Sequence, residues 1–244
     1  MMKDTLGNGV TPARLRVFIT GASSGIGLAL AEEYLRRGAV LGLVARRGDT
    51  LAAFAARFPS HSISIYPADV RDAAAQFCAQ HGGADVVIAN AGVSCGALTG
   101  YGDLDAFRDV MDINYFGIIA TFEPFVARMV EERRGTLVGI ASVVGIRGLP
   151  GSGAYSASKS AALKYLESLR VDMRPKEVSV VTIAPGYIRT AMTEHNPYPM
   201  PFLMDADIRR QNRRCDREES PVCDFSLADA DGLGVRRLKS SRYL

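Results

Sequence analysis

A tyrosine and a lysine four residues apart form the pair of side chains best suited to acid–base catalysis in this sequence. Tyr155 and Lys159 open an apolar-periodic run that continues to Leu169, so both are predicted on the first turns of one helix. An ammonium group beside a phenol favours the phenolate and lowers the pKa of the tyrosine. The pair predicts a tyrosine that exchanges a proton with a carbonyl or an alcohol. Taken alone, it is equally typical of a solvent-exposed helix.

A glycine-rich segment, 21–27, lies between an apolar run at 15–20 and a helical pattern that ends near Gly38. Glycines let the backbone approach a pyrophosphate, and a helix N-terminus presents unpaired N–H groups to it. The order strand, glycine loop, helix therefore predicts a phosphate-binding turn. Its spacing is G-x-x-x-G-x-G, and glycine-rich turns also occur for purely structural reasons.

The second apolar run, 39–45, ends in Arg46 and Arg47, and no acidic residue follows before Asp49. An acid at this place holds the ribose 2′-hydroxyl of NAD, whereas an arginine accommodates the 2′-phosphate of NADP. The sequence thus favours NADP(H), with NAD(H) possible. The alternative is that both arginines only solvate the start of the next helix.

Further apolar runs at 62–66, 84–89, 135–142 and 178–184 alternate with helical patterns. This alternation predicts an α/β fold, a doubly wound parallel sheet of Rossmann type with helices on both faces, in a single domain. One long helix is expected over 104–134, with Asn114 near its middle as a kink. Ligands of such sheets bind beyond the carboxyl ends of the strands.

Composition excludes several classes of function. The net charge of +3 is too small and too dispersed to indicate a nucleic-acid partner or a membrane surface. No run approaches the roughly 20 apolar residues of a membrane span. The four cysteines form no C-x-x-C pair and the three histidines lack metal-ligand spacing, so we expect no metal and reduced thiols in the cytoplasm.

Several short motifs occur in one order along residues 15–192. They are Thr20–Gly27, Asn90–Gly92, Asn114, Ser142, Tyr155-x-x-x-Lys159 and Pro185–Gly186. Each motif is weak by itself, but the ordered set is specific. Together they resemble the short-chain dehydrogenase/reductase family.

The resemblance implies hydride transfer between a nicotinamide cofactor and a small-molecule carbonyl or alcohol. Tyr155 corresponds to the general acid/base, and Lys159 to the residue that lowers its pKa and binds the nicotinamide ribose. Ser142 corresponds to the residue that holds the substrate oxygen. Asn114 would support a water that leads protons to Lys159. A homodimer or homotetramer is also implied.

The resemblance further implies a set of residues that contact the cofactor. They are Gly21, Ser23, Ser24, Gly25, Ile26, Gly27, Arg46, Asp69, Val70, Asn90, Ala91, Gly92, Tyr155, Lys159, Pro185, Gly186, Ile188 and Thr190. Asp69 and Val70 would flank the adenine, and Thr190 would contact the nicotinamide amide.

The chain is divided into an N-terminal extension (1–14), a catalytic domain (15–204) and an atypical C-terminal region (205–244). The catalytic domain ends in a methionine-rich lid, 187–204, which suits an apolar substrate. The last forty residues carry nine Lys/Arg, eight Asp/Glu and only eight of Val, Ile, Leu, Met and Phe. They are interpreted either as a divergent, disordered tail or as the product of a frameshift near Ile208. A missing seventh strand would leave the sixth as an edge.

Three functions are therefore compared. The leading one is an NADP-dependent oxidoreductase acting on a small or lipophilic carbonyl compound. A catalytically impaired nucleotide-binding protein, a sensor or scaffold, is the alternative, favoured by the unusual tail but not by the complete set Asn114, Ser142, Tyr155 and Lys159. An epimerase or dehydratase fits the glycine spacing and the short chain less well.

Overall fold

One parallel β-sheet organises the computed structural model, which describes residues 14–68, 70–194, 200 and 203–206. Its six strands are β1 (Arg16–Thr20), β2 (Val40–Val44), β3 (Ile63–Tyr66), β4 (Val86–Ala89), β5 (Thr136–Ile140) and β6 (Ser179–Ile183). They lie in the order β3-β2-β1-β4-β5-β6, and every pairing is parallel. All six strands coincide with apolar runs of the sequence, so the sheet prediction is confirmed.

Helices cover both faces of this sheet. They are α1 (Gly25–Arg36), α2 (Gly48–Ala56), α3 (Val70–His81), α4 (Leu104–Met111), α5 (Gly117–Glu131) and α6 (Gly153–Met173). The apolar stripes of α1 and α2 pack on one face, and those of α3, α5 and α6 pack on the other. Central strands are therefore buried on both sides, which explains why β4 and β5 have no polar-apolar alternation. The doubly wound α/β arrangement is confirmed.

The predicted long helix over 104–134 is interrupted. A π-helical turn, Asp112–Phe116, separates α4 from α5. Such a turn adds a residue to the helical repeat and is often found at functional sites. It carries Asn114, whose side chain is completely buried. The sequence indicated a simple kink here, and the structure shows a change of helical repeat instead.

The predicted lid is bounded by a two-residue parallel ladder between β7 (Ile188–Arg189) and β8 (Met204–Asp205). Arg189 and Asp205 add an ion pair of 3.2 Å between its strands. Residues 195–199 and 201–202 of the lid lie outside the described residues, as do 1–13 and 207–244. The expectations about the N-terminal extension and most of the C-terminal region fall on those segments.

Strand β6 pairs only with β5 among the residues that the structure describes, so it forms the edge of the sheet there. Arg170 of α6 lies against this edge strand and donates to the Val180 carbonyl at 3.0 Å and to Thr182 Oγ1 at 2.7 Å. A charged side chain placed on an edge strand opposes pairing with another chain.

Candidate active site

The predicted site residues lie beyond the carboxyl ends of β1, β4, β5 and β6. From β1 the strands β2 and β3 extend the sheet in one direction, whereas β4, β5 and β6 extend it in the other, so the chain reverses its winding direction between β1 and β4. Open α/β sheets bind ligands at this kind of switch point. The topology therefore brings the glycine loop, Asn90, Ser142 and Tyr155 to one edge of the sheet.

The glycine loop packs so tightly that a side chain is excluded at three positions, and the closest approach is at Gly27, where a Cβ would lie 2.5 Å from the Gly21 carbonyl oxygen. Gly21 has φ +66°, and a Cβ there would lie 2.8 Å from the Ala91 Cα. Gly25 has φ +57°, and its Cβ would lie 2.9 Å from Thr190 Cγ2. Gly25 also begins α1, which places unpaired backbone N–H groups at the loop. This cradle fits a pyrophosphate.

Thr20 and Asn90 join the ends of β1 and β4 beneath the loop. The Asn90 side-chain amide donates to the carbonyls of Thr20 at 3.0 Å and Gly21 at 3.1 Å. In return, Thr20 Oγ1 accepts the backbone N–H groups of Asn90 and Ala91 at 3.1 and 3.2 Å. The predicted cofactor residue Asn90 thus fixes the backbone of the glycine loop.

Asn114 is held by three hydrogen bonds. Its Oδ1 accepts the Val93 N–H at 2.8 Å, while Nδ2 donates to the Val93 carbonyl at 2.9 Å and to Ser158 Oγ at 3.0 Å. Ser158 donates in turn to the Tyr155 carbonyl at 2.8 Å. Both amide hydrogens of Asn114 are therefore engaged by protein groups, and the amide links the π-helical turn to the first turn of α6.

Lys159 is 3% exposed and donates to the Ile140 carbonyl at 2.9 Å. Among the described residues it has no carboxylate partner. Burial without an opposite charge lowers the pKa of Lys159 from 10.5 to about 8. A Cβ at Gly92 would be in ordinary contact with Lys159 Nζ at 3.5 Å but tight against Asn114 Oδ1 at 3.2 Å.

Tyr155 is half-buried, and its ring centroid lies 5.8 Å from Lys159 Nζ. Burial raises the pKa of Tyr155, and a hydrogen bond with Ser142 opposes that rise. The expectation that Lys159 lowers this pKa is not met here, because burial outweighs the other influences on the phenol. Ser142 is itself buried and donates to the Pro185 carbonyl at 3.3 Å, so the predicted residues 142, 155 and 185 lie together.

Arg46 and Arg47 are both exposed at the end of β2, but they differ in their contacts. Arg47 donates to Ser23 Oγ and Ser24 Oγ at 3.2 Å each. Arg46, the residue selected from the sequence, has no hydrogen-bond partner among the described residues. The second arginine is therefore the one that faces the glycine loop.

Thr190 is fixed by a neighbouring threonine. Thr193 Oγ1 accepts the Thr190 N–H at 3.0 Å and lies 2.7 Å from the Ile188 carbonyl, to which it donates. The Thr193 N–H bonds back to the Thr190 carbonyl at 3.0 Å. This turn holds Thr190 against Gly25, next to the buried side chain of Ile188.

The remaining predicted cofactor residues are placed unevenly. Ile26, Gly27, Ala91 and Gly186 belong to the segments already described at the sheet edge. Asp69 lies outside the described residues, and Val70 begins α3 without a described side chain.

Four further residues take part in the arrangement that the sequence did not assign to the site. They are Thr20, Arg47, Ser158 and Thr193. Thr20 and Arg47 are detectable in principle, since each stands at the end of a strand beside a selected residue. Ser158 and Thr193 act through hydrogen bonds to backbone groups, and nothing in their spacing indicates this.

No cluster of three or more His, Cys, Asp or Glu that could hold a metal ion occurs within the described part of the chain. A search of the same residues also finds no helix that is both long and apolar enough to cross a membrane.

The sequence of this chain is similar to those of known oxidoreductases. The family model for short chain dehydrogenase matches residues 16–199. An uncharacterized oxidoreductase of Myxococcus xanthus is 41% identical over 197 residues, covering 77% of each chain.

Two solved structures resemble the fold closely. A short-chain dehydrogenase from Sphingobium yanoikuyae in complex with NADPH has a TM-score of 0.73 and 28% identity, covering 79% of this chain and 80% of that one. A bulky-bulky ketone specific alcohol dehydrogenase from Comamonas testosteroni has a TM-score of 0.70 and 27% identity, with 79% and 78% covered.

Proposed function

The chain belongs to the short-chain dehydrogenase/reductase family, and we propose that it transfers hydride between NADP(H) and the carbonyl or secondary alcohol of a small or lipophilic molecule. The observation that carries this proposal is the convergence of Ser142, Tyr155 and Lys159 at the sheet edge that also holds the glycine loop. A protein that only binds nucleotide has no need of an acid/base pair beside its cofactor cradle.

In the proposed reaction the nicotinamide ring, when bound, supplies or accepts the hydride. Tyr155 donates its phenolic proton to the oxygen of the substrate carbonyl, which Ser142 holds by a hydrogen bond. The ammonium of Lys159 stabilises the phenolate that remains. Asn114, through Val93 and Ser158, keeps α6 and the loop after β4 in register around these groups.

The raised pKa of Tyr155 bears on the direction of the reaction. A phenol that keeps its proton at neutral pH is ready to act as a general acid. The protonated phenol is the form that carbonyl reduction uses. Alcohol oxidation would require the phenolate and therefore a higher pH.

The preference for NADP(H) is supported by the two arginines after β2 and by the Sphingobium neighbour, whose structure contains NADPH. Since Arg47 faces the glycine loop, Arg47→Asp is expected to lower NADPH affinity at least as much as Arg46→Asp. Calorimetric titration of both variants with NADPH and NADH measures this. An unchanged ratio of the two affinities in both variants would contradict a 2′-phosphate site.

The function is tested by NADPH-dependent reduction of a panel of ketones and aldehydes. Tyr155→Phe is expected to lower turnover by about 10²–10⁴-fold, the usual contribution of a positioned acid, while NADPH still binds. Tyr165→Phe on the same helix is the matched control, because its ring packs on Tyr115 instead. Tight NADPH binding with no reduction of any carbonyl would favour the impaired nucleotide-binding protein.

A further inference from the structure

Large apolar side chains are exposed in an uneven pattern. Of eight such residues in the described part of the chain, five lie on the two segments that follow β4 and β5. These five, called the apolar rim below, are Leu98, Tyr101, Leu104, Ile146 and Leu149, and they are 38% to 78% exposed. Exposed apolar side chains that are concentrated on neighbouring segments mark a candidate binding site.

The two segments of the apolar rim are joined to each other. Ala97 and Ser152 form an isolated parallel bridge. Ser152 also donates its N–H to the Leu149 carbonyl at 3.1 Å. Leu98 directly follows Ala97, and the Leu149 carbonyl accepts a hydrogen bond from Ser152. Both leucines therefore lie next to the bridge between Ala97 and Ser152.

Each rim segment contains residues that pack close to the helix turns carrying Tyr155 and Lys159. Ala97 and Cys95 pack in the same apolar cluster as Ala154 and Tyr155. On the other segment, a Cβ at Gly145 would lie 2.7 Å from the Lys159 carbonyl carbon, and Ile146 comes next. Both rim segments are therefore continuous in sequence with residues that pack beside Tyr155 or beside the Lys159 backbone.

The rim segments are nearly free of charge. Residues 93–104 and 143–153 contain one acid, Asp103, and one base, Arg147. The carboxylate of Asp103 is occupied within its own loop, where it accepts the Leu98 N–H at 2.8 Å. Loops that face only water are normally polar, so these two have a composition suited to an apolar ligand.

We propose that the apolar rim binds the hydrocarbon part of the substrate while the carbonyl is held at Ser142 and Tyr155. The substrate class is then a carbonyl compound with a long or bulky apolar group that extends past the catalytic groups to the surface. This inference rests on the proposed function, and it assigns the specificity to Leu98, Tyr101, Leu104, Ile146 and Leu149.

Two other occupants fit the rim less well. A membrane surface would attract a cluster of basic side chains, and Arg147 is the single one in these segments. A second copy of the chain has other exposed apolar side chains available, at Phe116 and Val171, which lie outside the two rim segments. Continuity with the reacting groups favours the substrate.

The test uses straight-chain methyl ketones from 2-butanone to 2-decanone with NADPH and the full chain. Each added methylene that becomes buried is expected to raise kcat/KM by about threefold to fourfold. The double variant Tyr101→Ser/Ile146→Ser is expected to lose most of this increase while still reducing 2-butanone. Val171→Ser is the matched control, because it removes an exposed apolar side chain from α6, outside the two rim segments.

Reduction of 2-butanone distinguishes failure of the rim assignment from failure of the proposed hydride-transfer function. A flat chain-length profile in an active wild-type enzyme would overturn the rim assignment and leave the function intact. If no ketone is reduced, calorimetric binding of 2-decanone to the NADPH-loaded protein replaces turnover, and equal binding by wild type and double variant overturns the assignment. A double variant that instead loses vesicle binding or changes oligomeric state would also overturn it.

Discussion

The two edges of the sheet differ in whether a charged side chain has a partner of opposite charge. At the amino edge, Arg16 of β1 pairs with Asp85 just before β4, with Nη2–Oδ1 at 2.8 Å and Nε–Oδ2 at 3.1 Å. Arg16 also donates to the carbonyls of His81 and Gly82 at the end of α3. At the carboxyl edge, Lys159 is more deeply buried, and within the described part of the chain its ammonium group donates a hydrogen bond to the Ile140 carbonyl and has no carboxylate partner. The charge of Arg16 is therefore paired with a carboxylate, whereas the charge of Lys159 has no such partner among the described residues.

The pKa values follow this difference. Burial raises the pKa of Asp85, but the hydrogen bonds and charge of Arg16 outweigh burial and leave the pKa lowered. At Lys159 burial acts alone and lowers the pKa to about 8. A pair held in its charged form stabilises structure, whereas a cation without a counter-charge can stabilise a phenolate formed during reaction.

The largest expected effect is that of Lys159→Met on activity. Removing the cation beside Tyr155 is expected to lower kcat/KM by about 10²–10³-fold, because the phenolate loses its stabilising charge. The free energy of unfolding at pH 7 should not fall, since a buried uncompensated charge is removed. Steady-state kinetics and urea unfolding measure the two quantities. Lys164→Met, which removes an exposed lysine from the same helix, is the control.

The lowered pKa of Lys159 predicts that the stability of the chain depends on pH. Between pH 8 and 10.5 Lys159 is neutral in the folded chain and charged in the unfolded one, so the unfolded state binds more protons and stability rises with pH. The rise is expected to reach at most about 3 kcal/mol relative to Lys159→Met. Urea unfolding of both proteins at pH 7.5, 9 and 10.5 measures it. Parallel pH profiles would show that the pKa of Lys159 is not lowered in the folded chain.

Arg16→Met tests the amino edge. Loss of the charge-assisted hydrogen bonds is expected to lower the free energy of unfolding by about 2 kcal/mol, with unchanged turnover per folded molecule. Chemical denaturation and NADPH titration of active sites report the two effects. Arg57→Met provides the comparison, because its 3.3 Å pair with Glu32 is solvent-exposed and should contribute under 1 kcal/mol. A fall in turnover would mean that the edges are coupled.

Thr193→Val is the smallest expected effect and again concerns the carboxyl edge. Loss of the hydroxyl that positions Thr190 is expected to raise the KM for NADPH about threefold to tenfold with little change in kcat. Thr193→Ser should restore the KM, because it retains the hydroxyl. An unrestored KM would assign the effect to packing of the threonine methyl group.

The sequence was sufficient for the sheet and for most of the residues now placed at its carboxyl edge. Apolar runs predicted all six strands because a strand covered on both faces must be apolar throughout. Arg47, Ser158 and Thr193 were not found, since their roles depend on which backbone groups the fold brings near them. The sequence indicates only a kink at Asn114, whereas the structure has a π-helical turn whose Asn114 amide bonds to Val93 and Ser158, and local propensity does not reveal these contacts.

The same dependence on distant contacts holds for Tyr155. Spacing with Lys159 predicted a lowered pKa, yet the net shift is set by how much of the fold covers the phenol. Burial is a property of the assembled chain and cannot be obtained from two residues on a helix. The spacing of Tyr155 and Lys159 predicted that the two side chains lie near each other, but it could not predict the direction in which the pKa of Tyr155 shifts.

The hydrogen bonds from Asn90 to Thr20 and Gly21 join parts of the chain about seventy residues apart. During synthesis on the ribosome, the glycine loop therefore emerges long before the strand that fixes it. Contacts so distant in sequence slow folding, because the intervening chain must be ordered first. The cofactor cradle can therefore form only after β4 has emerged and paired with β1.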